Sequence, residues 1–170
     1  MVRPLLAAAF LLASPALADD VWLGVYRHDV VLSGPRYEGN EDIKAGWIGN
    51  PIDGLRTIGR PSPHVIVSKH IGGQDDYIAA GLDWTLGTRF YLRPGMGLAA
   101  NDGKRPTYRG TARVDLGSPI TFEPELAFGW HVGPRLRIEV SWIHLSHAQL
   151  FSHQNRGLDS WGMRTLLRLP

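Results

Sequence analysis

The sequence predicts an all-β protein, an eight-stranded antiparallel transmembrane β-barrel. Three observations carry this expectation. Apolar and polar residues alternate with period two through most of the chain, and helical periodicity is nearly absent. The polar face bears both signs of charge at successive strands (Glu123, Glu125, Arg137, Glu139, Arg164, Arg168), which suits a small lumen where side chains pair. The connections also alternate, tight at "LGT" (86–88) and "HVGP" (131–134), long at 100–117 and 147–158. Short periplasmic turns and long outer loops have that asymmetry.

The first segment, "MVRPLLAAAFLLASPALADD", has Arg3, an apolar stretch from Leu5 to Leu12 and a small-x-small end at Ala16-Leu17-Ala18. It reads as a secretory signal peptide over 1–18, too short for a spanning helix, with one domain over 19–170. Export with no cysteine leaves stability to the backbone ladder and packing. The net charge of +2 is scattered, so nothing points to nucleic acid. No later stretch has the apolar length of a spanning helix, so membrane residence requires a barrel, placed by export in a Gram-negative outer membrane.

"VWLGVYRHDV" (21–30), "DIKAGWI" (42–48) and "PHVIVSKH" (63–70) are the first three strands. The connection 50–63 is long for a periplasmic turn. "DYIAAGLDWTL" puts Ile78, Ala80, Leu82, Trp84 and Leu86 on one face, and "TRFYLRPGMGLA" does the same for Phe90, Leu92, Pro94, Met96 and Leu98. "SPITFEPELAFGW" opposes Ile120, Phe122, Pro124, Leu126, Phe128 and Trp130 to Thr121, Glu123, Glu125, Ala127 and Gly129. "RLRIEVSW" and "DSWGMRTLLRL" complete the set. Trp84, Trp130, Trp142 and Trp161 fall near strand ends on the apolar face, where interfacial girdles sit. A soluble calyx of lipocalin type has the same strand pattern and stays open at this point.

Parity then selects a site. The apolar face of Leu136, Ile138, Val140 and Trp142 continues to His144 and Ser146, and that of Trp161, Met163 and Thr165 extends back to Asp159. Three acid–base groups thus share the outer wall of two adjacent strands. The arrangement fits acyl transfer, with Ser146 as nucleophile, His144 as base and Asp159 orienting the imidazole. Oxyanion donors would come from the start of the next loop, at His147, Ala148 and Gln149. Polar residues marking the headgroup boundary would look similar. His144, His147 and His153 could suggest a metal site, but His147 has the opposite parity and no acid completes the set, so no metal is expected.

At these residues the chain resembles the lipid A 3-O-deacylase (PagL-like, acyloxyacyl hydrolase) family. "HLSHAQLFSHQNRGLDSWGMR" looks like that family's H-x-S-N-A … N-x-G-x-(E/D) signature. Weaker echoes are "LGVYRHDV", "RPSPHVIVSKHIGGQDDYIAAGLDW" and "GMGLAANDG". The resemblance implies an eight-stranded outer-membrane barrel and a carboxylic ester hydrolase acting on lipid A of lipopolysaccharide through His144, Ser146 and Asp159, with no cofactor. Asp159 stands where better-known members have Glu, and His147 where they have Asn. The chain ends in "LLRLP", without a terminal aromatic.

Acyl chains would lie along Ile138, Val140, Trp142, Trp161 and Met163, and Lys104, Arg105, Arg109 and Arg156 could meet phosphates. The rivals are a non-catalytic structural or adhesion barrel, and an esterase of the same fold acting on another lipid. The acyl position cleaved and a homodimer are left open.

Overall fold

The computed structural model describes residues 19–30, 39–103, 114–151, 153 and 155–170. The expected signal peptide lies outside them, as do Lys104, Arg105 and Arg109. The described strands are β1 (Asp20–Arg27), β2 (Glu41–Ile48), β3 (Ser62–His70), β4 (Tyr77–Asp83), β5 (Leu86–Gly87), β6 (Phe90–Asn101), β7 (Ile120–His131), β8 (Leu136–Leu145) and β9 (Leu158–Arg168). β5 resumes β4 after a break at Trp84, whose N–H still bonds the Pro94 carbonyl at 2.9 Å. β4 and β5 therefore make one wall position, and the wall has eight.

All pairings are antiparallel; with β4 and β5 as one position they join sequence neighbours, except β1–β9, which closes the ring. β1 meets β9 from Asp20↔Arg168 to Arg27↔Trp161, and β4 meets β6 from Tyr77↔Asn101 to Asp83↔Gly95. Closure leaves no unpaired edge, the condition for β-structure in lipid. The connections 49–61, 88–89 and 132–135 share the end with Asp20, and the strand ends at His70, Asn101 and Leu145 share the other. The long 50–63 connection contains a 3-10 helix, Asp53–Ile58, closed by Gly59 at φ +92°.

The alternation resolves in the direction a membrane requires. Leu23 is 61% exposed on the wall, and Leu92, Leu98, Leu126, Phe128 and Met163 are likewise exposed, whereas Glu139 is 0% exposed in the lumen. A water-soluble calyx would invert that assignment. Trp84 and Trp130 lie toward the Asp20 end, Trp142 and Trp161 toward the other.

The lumen is packed with paired charge. Glu139 accepts from Arg93, from Arg164 Nε at 2.6 Å and from the Tyr91 hydroxyl at 2.6 Å. Arg164 reaches Glu125 as well, and its guanidinium lies 4.5 Å from the Trp22 ring centroid. His64 bridges Asp83 (3.0 Å) and Glu123 (3.2 Å). Arg168, grouped with the lumen face by parity, sits at the rim, 3.7 Å from Asp20. Small residues make room for the large ones: a Cβ on Gly46 would fall 2.4 Å from the Trp22 ring.

Candidate active site

β8 and β9 pair in a register that stacks outward residues in rows. Ile138 faces Thr165, Val140 faces Met163, Trp142 faces Trp161, and His144 faces Asp159. The first three rows are apolar or nearly so, and the fourth, nearest the long loops, is an acid–base pair. His144 Nδ1 lies 3.0 Å from Asp159 Oδ1, and both side chains are partly open on the outer wall. An ionised carboxylate only accepts, so Nδ1 carries the proton and the Nε2 lone pair is left for another proton.

Ser146 is the next outward position, about 6–7 Å along the strand from His144. Its backbone is tied to β7: the Phe122 N–H bonds the Ser146 carbonyl at 2.7 Å, and the Ser146 N–H bonds the Phe122 carbonyl at 3.2 Å. This continues the register set by Glu125↔Ile143, which places Pro124 opposite His144. Pro124 has no N–H to give the His144 carbonyl, so the ladder is interrupted there. Ser146 is thus held from β7, and His144 from β9.

The following loop turns sharply. Ala148 and Gln149 adopt φ +51° and +60°, and the Leu150 N–H returns to the His147 carbonyl at 2.9 Å. Two left-handed corners closed by that bond make a type I′ turn, here without glycine, which stores backbone strain beside Ser146. Of the three residues expected to supply oxyanion donors, His147 is buried, and its N–H donates to Asn155 Oδ1 at 3.0 Å. Its ring nitrogen Nδ1 accepts the Phe151 N–H at 3.4 Å. Ala148 and Gln149 occupy the two corners.

Two residues join the site that parity alone did not assign to it. Asn155 receives the His147 N–H on its oxygen, which fixes the orientation of its amide and makes Nδ2 the donor end. Its spacing to Gly157 and Asp159 in "NRGLD" was the available signal. Trp142, read as groove lining, also donates Nε1–H to Asp159 Oδ1 at 2.6 Å and stacks on His144, with ring centroids 5.8 Å apart and planes at 26°.

Gly157 closes over the imidazole. It sits at φ +72°, and a Cβ there would lie 2.6 Å from His144 Cε1 and 3.1 Å from Nε2. Gly157→Ala should displace the ring and strain the loop, slowing any acyl transfer that runs through His144 about tenfold or more while the barrel stays folded. Turnover measured beside heat-modified gel mobility checks this.

The expected acyl groove runs down the wall below the His144–Asp159 row. Val140, Trp161 and Met163 are exposed along it, and Trp142 and Trp161 lie 6.5 Å apart at 41°. His144, His147 and His153 form no ligand set, since His147 turns inward and His144 Nδ1 is engaged by Asp159. Among the described residues one group has metal-ligand spacing, His28, Asp42 and His70 inside the lumen. Its atoms are already hydrogen-bonded: Asp42 binds His28 Nδ1 (2.8 Å) and Lys44 Nζ (2.7 Å), while His70 bonds the Gly39 carbonyl and the Gln74 N–H. A hydrogen-bonded plug with a lysine on its carboxylate fits a metal poorly.

Comparisons with known proteins agree with this architecture. The crystal structure of the outer membrane enzyme PagL superposes with a TM-score of 0.66 at 18% identity, covering 88% of this chain and 99% of that one. The Yersinia pestis outer membrane protein Ail (TM-score 0.52, 12% identity, 90% and 99% covered) and Neisserial surface protein A (0.54, 10%, 90% and 97%) share the barrel. No curated protein matches the chain. The model of the family described as lipid A 3-O-deacylase (PagL) matches residues 69–168, which span β4 to β9 and every residue of the site just described. With more than half of its length inside that match, the chain belongs to the lipid A 3-O-deacylase (PagL) family of outer-membrane β-barrels.

Proposed function

We propose that this protein is an outer-membrane serine esterase that hydrolyses the ester-linked 3-hydroxyacyl chain of lipid A. The observation that carries the reading is the His144–Asp159 pair, 3.0 Å apart on the outer wall, with Ser146 at the next outward position. A soluble esterase would keep such a pair in a cleft. A pair on a lipid-facing wall suits a substrate that never leaves the bilayer leaflet.

In this mechanism Ser146 Oγ attacks the ester carbonyl as His144 Nε2 takes its proton, and Asp159 stabilises the imidazolium. Asn155 Nδ2 and the backbone N–H groups of Ala148 and Gln149 are the donors for the oxyanion. Collapse breaks the acyl C–O bond, and the imidazolium gives its proton to the leaving sugar oxygen, which departs as the hydroxyl. Water, deprotonated by His144, then cleaves the acyl-serine and frees a 3-hydroxy fatty acid. The chain lies meanwhile along Val140, Trp142, Trp161 and Met163, on the outer wall below the His144–Asp159 row.

The test is detergent-purified protein mixed with lipopolysaccharide. Free 3-hydroxy fatty acid should accumulate, and phospholipid offered in its place should yield no free fatty acid. Release from phospholipid alone would favour an esterase of the same fold with another substrate, and release from neither would favour a non-catalytic barrel.

A further inference from the structure

We infer that Trp142 is a positioning residue, whose indole N–H holds the Asp159 carboxylate in the rotamer that orients His144. The inference rests on reading Ser146, His144 and Asp159 as a catalytic set. It starts from a geometric weakness. Asp159 carries its carboxylate on a single methylene, directly across the ladder from His144, and is partly exposed on the outer wall. A carboxylate there with one partner would be under-satisfied and free to swing about its last torsion.

Trp142 corrects both faults. Its Nε1–H lies 2.6 Å from Oδ1, the same oxygen that receives His144 Nδ1 at 3.0 Å. Two donors converging on one oxygen fix the carboxylate plane. The same indole packs its face on the imidazole at 5.8 Å and 26°, so one side chain touches both members of the pair. Trp161 lies across the ladder with its ring centroid 6.5 Å from that of Trp142. A neutral donor is the right kind for this position. An Arg or Lys would neutralise the charge that the imidazolium needs during reaction, whereas an indole steadies the carboxylate and leaves its charge in place. The N–H itself would be a stranded donor in lipid without Asp159, so the contact satisfies both groups.

Trp142→Phe tests this role against mere packing, because phenylalanine keeps an aromatic ring for stacking but has no donor. The expected result is a kcat about tenfold lower with KM unchanged, the size of one lost hydrogen bond to a charged group. Labelling of Ser146 by a fluorophosphonate should slow by the same factor. An independent signature is the indole ¹⁵N–¹H resonance of Trp142, identified by its loss in Trp142→Phe, which should move when Asp159→Ala removes the acceptor. A raised KM with unchanged kcat would overturn the inference in favour of acyl-chain packing, and an indole resonance indifferent to Asp159→Ala would overturn it outright. Ser146 that labels at the parental rate in Trp142→Phe overturns this inference alone. A parent whose Ser146 does not label at all overturns the catalytic reading, and this inference with it.

Discussion

Ser146→Ala should leave a folded barrel that releases 3-hydroxy fatty acid from lipopolysaccharide on the order of 10⁴-fold more slowly than the parent. The size follows from the loss of the covalent route. Without Oγ, His144 can activate only water, which has no backbone to place it in line with the ester. His144→Ala should cost about as much, since a serine hydroxyl in lipid has no other base, and the double variant should cost little more than either single one. The barrel should be unaffected, because Ser146 is held to β7 by main-chain bonds with Phe122 that alanine keeps. Rates on lipopolysaccharide micelles, with heat-modified gel mobility as the folding control, measure both halves of the expectation.

Glu139→Ala should produce the largest loss of stability, about 3–5 kcal/mol, by breaking a buried ionic cluster from its centre. Glu139 is fully buried and receives Arg93, Arg164 and Tyr91, so its removal leaves two guanidiniums in the lumen with one of their shared counter-charges gone. Arg164 keeps Glu125, and Arg93 keeps the more distant Asp83 at 4.0 Å. Glu41→Ala offers the contrast. Its partner Arg27 is half-exposed at the rim, where ion pairs contribute little, so the midpoint should hardly move. Urea unfolding in detergent micelles, followed by tryptophan fluorescence, reads both variants on one scale.

Much of this architecture was legible because period two is a rigid rule. Once Val140 and Trp142 face outward, His144 and Ser146 must follow, and Asp159 follows from Trp161 and Met163 in the same way. The same rule turned His147 inward, where its ring lies buried. Inverted polarity was equally readable, since Glu123, Glu125, Glu139 and Arg164 are too many charges for a dry core unless they meet one another.

Other features depend on information that periodicity does not hold. Parity put Trp142 on the same wall as Asp159, but the 2.6 Å contact depends on the β8–β9 register, which no single strand encodes. The I′ turn at Ala148 and Gln149 lacks the Gly or Asn that marks such turns, so its strained corners carry no compositional signal. The Asp53–Ile58 helix was hidden for a related reason: six residues are too few to establish a helical period in "NPIDGLRTIGRPSP".

In the proposed mechanism Ser146 on the outer wall cleaves lipid A inside the membrane. Mass spectrometry of lipid A extracted from cells expressing the parent or Ser146→Ala tests it most directly. The parent should yield lipid A lighter by one ester-linked 3-hydroxyacyl chain, and Ser146→Ala should yield lipid A of full mass. Lipid A left at full mass by the folded parent, or trimmed equally by both proteins, would contradict the account.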